Sequence, residues 1–223
     1  MRPHARRTAF IAALTLSIAS AFAFPVLAQQ RALPDDIHAD SMARLPYVKR
    51  RDLDAEGQAI FDMLPGQLPN GSVSGPLAWP AYNPGVAKAL LDLHNAAVAT
   101  RELDDYEREL AIMVACRETN YMLEWDAHKR SALKAGVPES VLAVVRDNRS
   151  LQGLSERDAT IIHLGRQLYR DKRVDSATFA AAVDQFGNKG VMDMVAVMNT
   201  YAVSGFFAIT VDERVVTSEL YNH

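Results

Sequence analysis

The stretch Asp104–Gly136, DDYERELAIMVACRETNYMLEWDAHKRSALKAG, decides the fold. Asp104-x-x-Glu107 has the form of a capping box, in which side chains and backbone at a helix start satisfy each other's free N–H groups. The run Leu110–Cys116 that follows is apolar without alternation, so it reads as helix and not as a half-buried strand. Thr119-Asn120 offers a reversal, and a second helical pattern runs on to Ala135 and stops at Gly136. Two helices joined by so short a turn lie antiparallel.

The same punctuation recurs on both sides. Asp52 is a plausible cap for a helix through Leu64, and Pro65–Tyr82, with four Pro and three Gly, reads as a long loop. Asn83-Pro84 is a cap followed by proline at the first helical position, opening a helix to about Thr100. Pro138 starts a short helix to Arg146, Ser155-x-x-Asp158 opens one to about Asp171, and Asp175 opens one to Phe186, closed by Gly187. The last, about Gly190–Ile209, is nearly continuously apolar and is expected at the centre. No alternating run is long enough for a sheet strand. The fold class is therefore all-α, a bundle of some seven or eight helices over residues 52–212. Residues 29–51 are expected as a loose N-terminal arm and 213–223 as a C-terminal tail.

Arg2, Arg6 and Arg7, an apolar run from Thr8 to Phe24, and small residues Val26 and Ala28 before Gln29 form a secretory signal peptide, 1–28, cleaved after Ala28. Its loss takes three arginines and no acid from 24 basic and 27 acidic side chains, so the mature net charge is −6. That balance argues against nucleic acid or an anionic membrane surface as partner, and no stable membrane insertion is expected after cleavage. The expected localisation is periplasmic or secreted. A lone Cys116 forbids an intramolecular disulfide and a Cys-x-x-Cys redox pair, and no His-x-x-x-His or His-Glu-x-x-His pattern offers a metal site.

Candidate chemistry lies between Glu109 and His128. Tyr121, Glu124, Trp125 and His128 share one helix face, and Glu124 can touch the His128 imidazole at i,i+4, orienting the ring and raising its basicity. A surface ion pair is the alternative from spacing alone. Glu109 stands on an otherwise apolar stripe of the preceding helix, where stabilising the helix N-terminus is the alternative role. Glu109 is about ten residues before the turn and His128 about eight after it. At about 1.5 Å per residue the two fall at similar height on the helix pair.

Glu109-Leu-Ala-Ile-Met-Val-Ala-Cys-Arg117, Glu124-Trp-x-x-His128 and Ala135-Gly-Val-Pro138 together resemble the carboxymuconolactone decarboxylase-like family, which includes alkylhydroperoxidase D-like proteins. Gly75-Pro-Leu77 with Trp79, Asn83-Pro84, Phe186-Gly187 and Tyr201 extend the likeness over roughly Leu53–Val211. The resemblance implies an all-helical domain assembling as a homo-oligomer, often a trimer or hexamer. It implies His128 as general acid or base, Glu124 as its orienting partner and Glu109 as a second proton carrier or a charge stabiliser. Tyr121, Trp125 and Trp79 would shape the substrate pocket, and Arg117 would pair with a substrate carboxylate. The peroxidase branch needs a dithiol that this chain lacks. The expectation is therefore a proton-transfer enzyme without metal or organic cofactor, performing decarboxylation, isomerisation or lactone opening on a small, aromatic-derived carboxylic acid or lactone. A thiol peroxidase and a non-catalytic oligomeric binding protein are the alternatives.

Overall fold

The structure is a computed structural model that describes residues 34–220. The signal peptide expected over 1–28 lies outside the described residues. Seven α-helices occur among them: α1 (Ala55–Phe61), α2 (Pro84–Val98), α3 (Asp105–Glu118), α4 (Met122–Lys134), α5 (Glu139–Arg146), α6 (Glu156–Arg166) and α7 (Ser176–Thr210).

Most helix starts carry the side chains expected of them. Asn83 accepts from Val86 N with Pro84 in the first turn, and Asp104 and Glu107 complete the capping box reciprocally. Ser155 and Asp175 accept from Asp158 N and Thr178 N. The first helix is capped by Asp54 and not by Asp52, which lies in a short 3-10 turn. The long final helix is two helices in sequence, because Gly187 breaks it with φ 65° and ψ 169°. That left-handed backbone suits glycine, which has no Cβ to clash.

The central helix is α3, not the last one. Every residue from Leu110 to Cys116 is buried, with α4, α6 and α7 packed around it. Gly165 of α6 lets that helix approach closely, since a Cβ there would collide with Val114 and crowd the Met198 thioether. The final helix buries Val191, Met194, Val197, Met198 and Tyr201 on one side but leaves Met192, Phe206 and Ile209 exposed on the other. A satellite cluster of Phe61, Leu64, Val73, Leu77, Ala81 and Ala87 ties α1 and the Pro65–Tyr82 loop beneath α2.

The two chain ends differ from expectation. Residues 34–51 do not hang free: Ala43 is fully buried, Arg44 N donates to Val211 O, and Arg214 N donates to Met42 O. The tail folds back likewise, burying Leu220 and bonding Ser218 Oγ to Asp126. The ends meet across the bundle and satisfy one another's backbone groups, so both belong to the packed body.

Candidate functional site

The turn after α3 brings Glu109 and His128 together, as the helix arithmetic predicts. Glu109 Oε2 lies 2.8 Å from His128 Nδ1, and Glu124 Oε2 lies 3.3 Å from His128 Nε2. The three side chains are only 16%, 19% and 10% exposed for Glu109, His128 and Glu124. Each ring nitrogen faces a carboxylate oxygen, an acceptor only, so the ring meets both partners well only when both nitrogens carry protons. Burial is the largest single influence on His128 and disfavours its charge. The hydrogen bonds and charges of Glu109 and Glu124 together outweigh it, and the imidazole is pushed up to about 9. At neutral pH the centre is an imidazolium between two acids.

Two further rings extend it. Tyr201 of α7 packs edge-on against His128, with ring centroids 4.8 Å apart, and edge-on against His94 of α2 at 5.7 Å. His94 belongs to the inward stripe Ala87, Leu90, Leu91, His94 of α2. With Tyr201, Thr200 and Ser204 it forms one wall of a cavity of about 70 Å³, whose other walls are Pro65, Pro76, Leu77, Leu90 and Leu91. Burial holds His94 below the usual imidazole range and the neighbouring His128 charge adds to this, against a pull from Glu124. The two imidazoles flanking Tyr201 therefore rest in different states, one cationic and one neutral. His128 itself does not line the cavity; Tyr201, which does, packs against its ring.

The structure does not bring all the expected pocket residues to this place. Trp125 is fully buried, and its indole N–H donates to Glu219 Oε1 at 2.6 Å, on the tail. Arg117, eight residues beyond Glu109 on α3, donates from Nε to the Arg146 carbonyl at 2.6 Å, joining α3 to α5. Tyr121 is buried with its hydroxyl unpartnered and lines a separate cavity of about 140 Å³ with Asn120, Met122, Asp212 and Glu213. Trp79 is buried under Tyr47, stacked at 5.4 Å, and its N–H faces Glu213 without the geometry of a well-formed hydrogen bond. Burial pushes the Glu213 carboxyl up to about 7, the Trp79 N–H holding it lower than burial alone would.

Cys116 is fully buried among apolar neighbours. Desolvation raises its thiol well above the usual range, and the Glu124 and Glu109 charges raise it further. Among the described residues no cluster of three His, Cys, Asp or Glu side chains is arranged to hold a metal ion. By sequence alone His94 reads as an ordinary helix residue that could also face the pocket, and Tyr201 only extends the family resemblance, so neither is assigned to the site. The periodicity of α2 marks His94 as inward-facing, but periodicity alone does not separate a core histidine from a pocket one.

Residues 84–162 match the model of the carboxymuconolactone decarboxylase family. No curated protein matches the sequence. Among solved structures, an uncharacterised peroxidase-related protein with an alkylhydroperoxidase AhpD core, from Ralstonia eutropha JMP134, is similar at 20% identity and a TM-score of 0.59. The match covers 80% of this chain and 94% of that one. The debrominase Bmp8 is similar at 12% identity, with TM-scores of 0.58 in complex with 2,3,4-tribromopyrrole and 0.59 without ligand. Both matches cover 77% of this chain, and 90% and 91% of those chains. At these identities the likeness speaks for the fold. The matched residues 84–162 include the helices that carry Glu109, Glu124 and His128 and are similar to the carboxymuconolactone decarboxylase family, and the solved structures show an alkylhydroperoxidase D-like all-α fold.

Proposed function

We propose that the chain is an exported enzyme that moves protons with its own side chains, performing decarboxylation, isomerisation or lactone opening on a small, aromatic-derived acid or lactone. The observation that carries this reading is the Glu109–His128–Glu124 arrangement, an imidazole held at 2.8 and 3.3 Å by two acids and pushed up to about 9. Such a centre is a proton reservoir: the imidazolium gives up a proton when reaction next to it demands one, and the carboxylates carry it. The unexposed Cys116 supports this reading over a thiol mechanism, because the thiolate is the reactive form and burial suppresses it.

The test is a screen of small aromatic-derived acids and lactones against wild type, His128→Ala, Glu124→Gln and Cys116→Ser. His128→Ala should abolish turnover with helix content unchanged. Glu124→Gln should cost about 10- to 1000-fold, the scale of general acid–base contributions. Loss of activity in Cys116→Ser alongside a silent His128→Ala would replace proton transfer with a single-thiol mechanism.

A further inference from the structure

Resting on the isomerisation arm of the proton-transfer reading and narrowing its substrate, we infer that His94 is the base that takes the substrate proton, and that the substrate is an uncharged carbonyl compound of low polarity, which sets aside the free acid and the decarboxylation that reading also allows. Three observations carry this. His94 lines the cavity, whereas His128 does not and packs against Tyr201, which does. The Pro76, Leu77, Leu90 and Leu91 walls are apolar, and among the described residues no Lys or Arg lines the cavity. The centre behind it, one imidazolium between two carboxylates, carries net negative charge that repels a substrate anion. Arg117, expected to hold a carboxylate, is bonded to Arg146 instead. Arg108 acts electrostatically on Tyr201 but is paired with Asp105 and does not line the cavity.

The two histidines divide the work of acid and base. Burial and the nearby His128 charge keep His94 neutral, so it has a lone pair to offer at neutral pH. The groups acting on His94 are Glu124 and His128 of α4, with Tyr201 of α7 against its ring. In the step, the His94 lone pair takes a hydrogen from the carbon beside the substrate carbonyl. The C–H pair becomes the C=C of an enolate and the carbonyl π pair moves to oxygen. The Tyr201 phenol, kept protonated by burial, is the donor in the same wall. Return of that proton to the far carbon of the conjugated system restores neutral His94 and releases an isomer. Nothing is oxidised or reduced.

The probes are cyclohex-3-enone and the same ring bearing a carboxylate, with conversion to the conjugated isomer followed by ultraviolet absorbance. Wild type should convert the neutral ring saturably, with kcat/KM at least tenfold above that for the carboxylated ring. His94→Gln should lower kcat about 100-fold or more, in line with a general base, with KM changed less than about threefold. It should also abolish the acid limb of the kcat/KM profile. In parallel, ¹⁵N spectra of the labelled full chain should show the His94 ring neutral at pH 7 and shifted by cyclohex-3-enone. A cationic or unmoved His94 signal overturns the assignment whether or not the ring is turned over. So does a His94→Gln kcat within threefold of wild type, or preference for the carboxylated ring. If His128→Gln inactivates and His94→Gln does not, this inference fails while the proposed function stands. If neither imidazole matters to turnover, the proton-transfer reading itself falls.

Discussion

Glu109 Oε2 lies 2.8 Å from His128 Nδ1, although nineteen residues and a helix reversal separate them in the chain. The contact joins α3 to α4 and has a measurable consequence. The His128 imidazole stands at about 9 in the fold against 6.5 when unfolded, so the folded state binds the extra proton between those values. Stability from this ring is fully present below pH 6.5 and is lost as pH rises through 9. Chemical denaturation of wild type and His128→Gln should show a gap that shrinks by up to about 3 kcal/mol over that window. A gap independent of pH would mean the ring is neutral in the fold.

Cys116 predicts the opposite of a reactive thiol. Its side chain is fully buried within α3, and desolvation, reinforced by Glu124 and Glu109, suppresses the thiolate. A disulfide reagent such as 5,5′-dithiobis(2-nitrobenzoate) should label the chain only after unfolding. Cys116→Ala should keep turnover within threefold while lowering stability by about 1 kcal/mol, the cost of a small core truncation. Rapid labelling of the folded protein would show that the helix pair opens around this residue.

How much of this was legible beforehand depends on how local the determinants are. Asn83, Asp104, Ser155 and Asp175 cap helices through backbone groups three residues on, so their roles can be read from the chain. Asp52 and Asp54 are equally good caps by type, and the 3-10 turn at Arg50–Asp52 selects the second. That Glu109 and His128 meet follows from helix rise and a three-residue turn, Thr119–Tyr121, both of which are local. Trp125 and Arg117 lie on the helices the sequence predicts, but their hydrogen-bond partners come from distant parts of the chain. The return of the tail to put Glu219 against the Trp125 indole is a contact across 94 positions, and no local pattern encodes it. The same holds for the arm, whose partner strand of backbone lies at the other end of the chain.

The final helix predicts the state of assembly. Met192, Phe206 and Ile209 are 56%, 52% and 49% exposed, and half-buried Val195 and Val203 fill the helical spacing between them. The opposite face, with Met194, Val197 and Met198, is already fully used in the core. A surface helix ordinarily presents charge to water, and an outer face this apolar, interrupted only by Asn199 between Val195 and Val203, is characteristic of a covered surface. A second copy of the chain is the simplest cover, and closed symmetry then limits the assembly to a defined number of subunits. Light scattering of the mature chain should return the mass of a trimer or hexamer. Phe206→Glu places charge within the stripe without touching the core, so it should reduce the mass to that of one chain while helix content is unchanged. A wild-type mass of one chain at high concentration would leave the stripe facing water and refute the homo-oligomer.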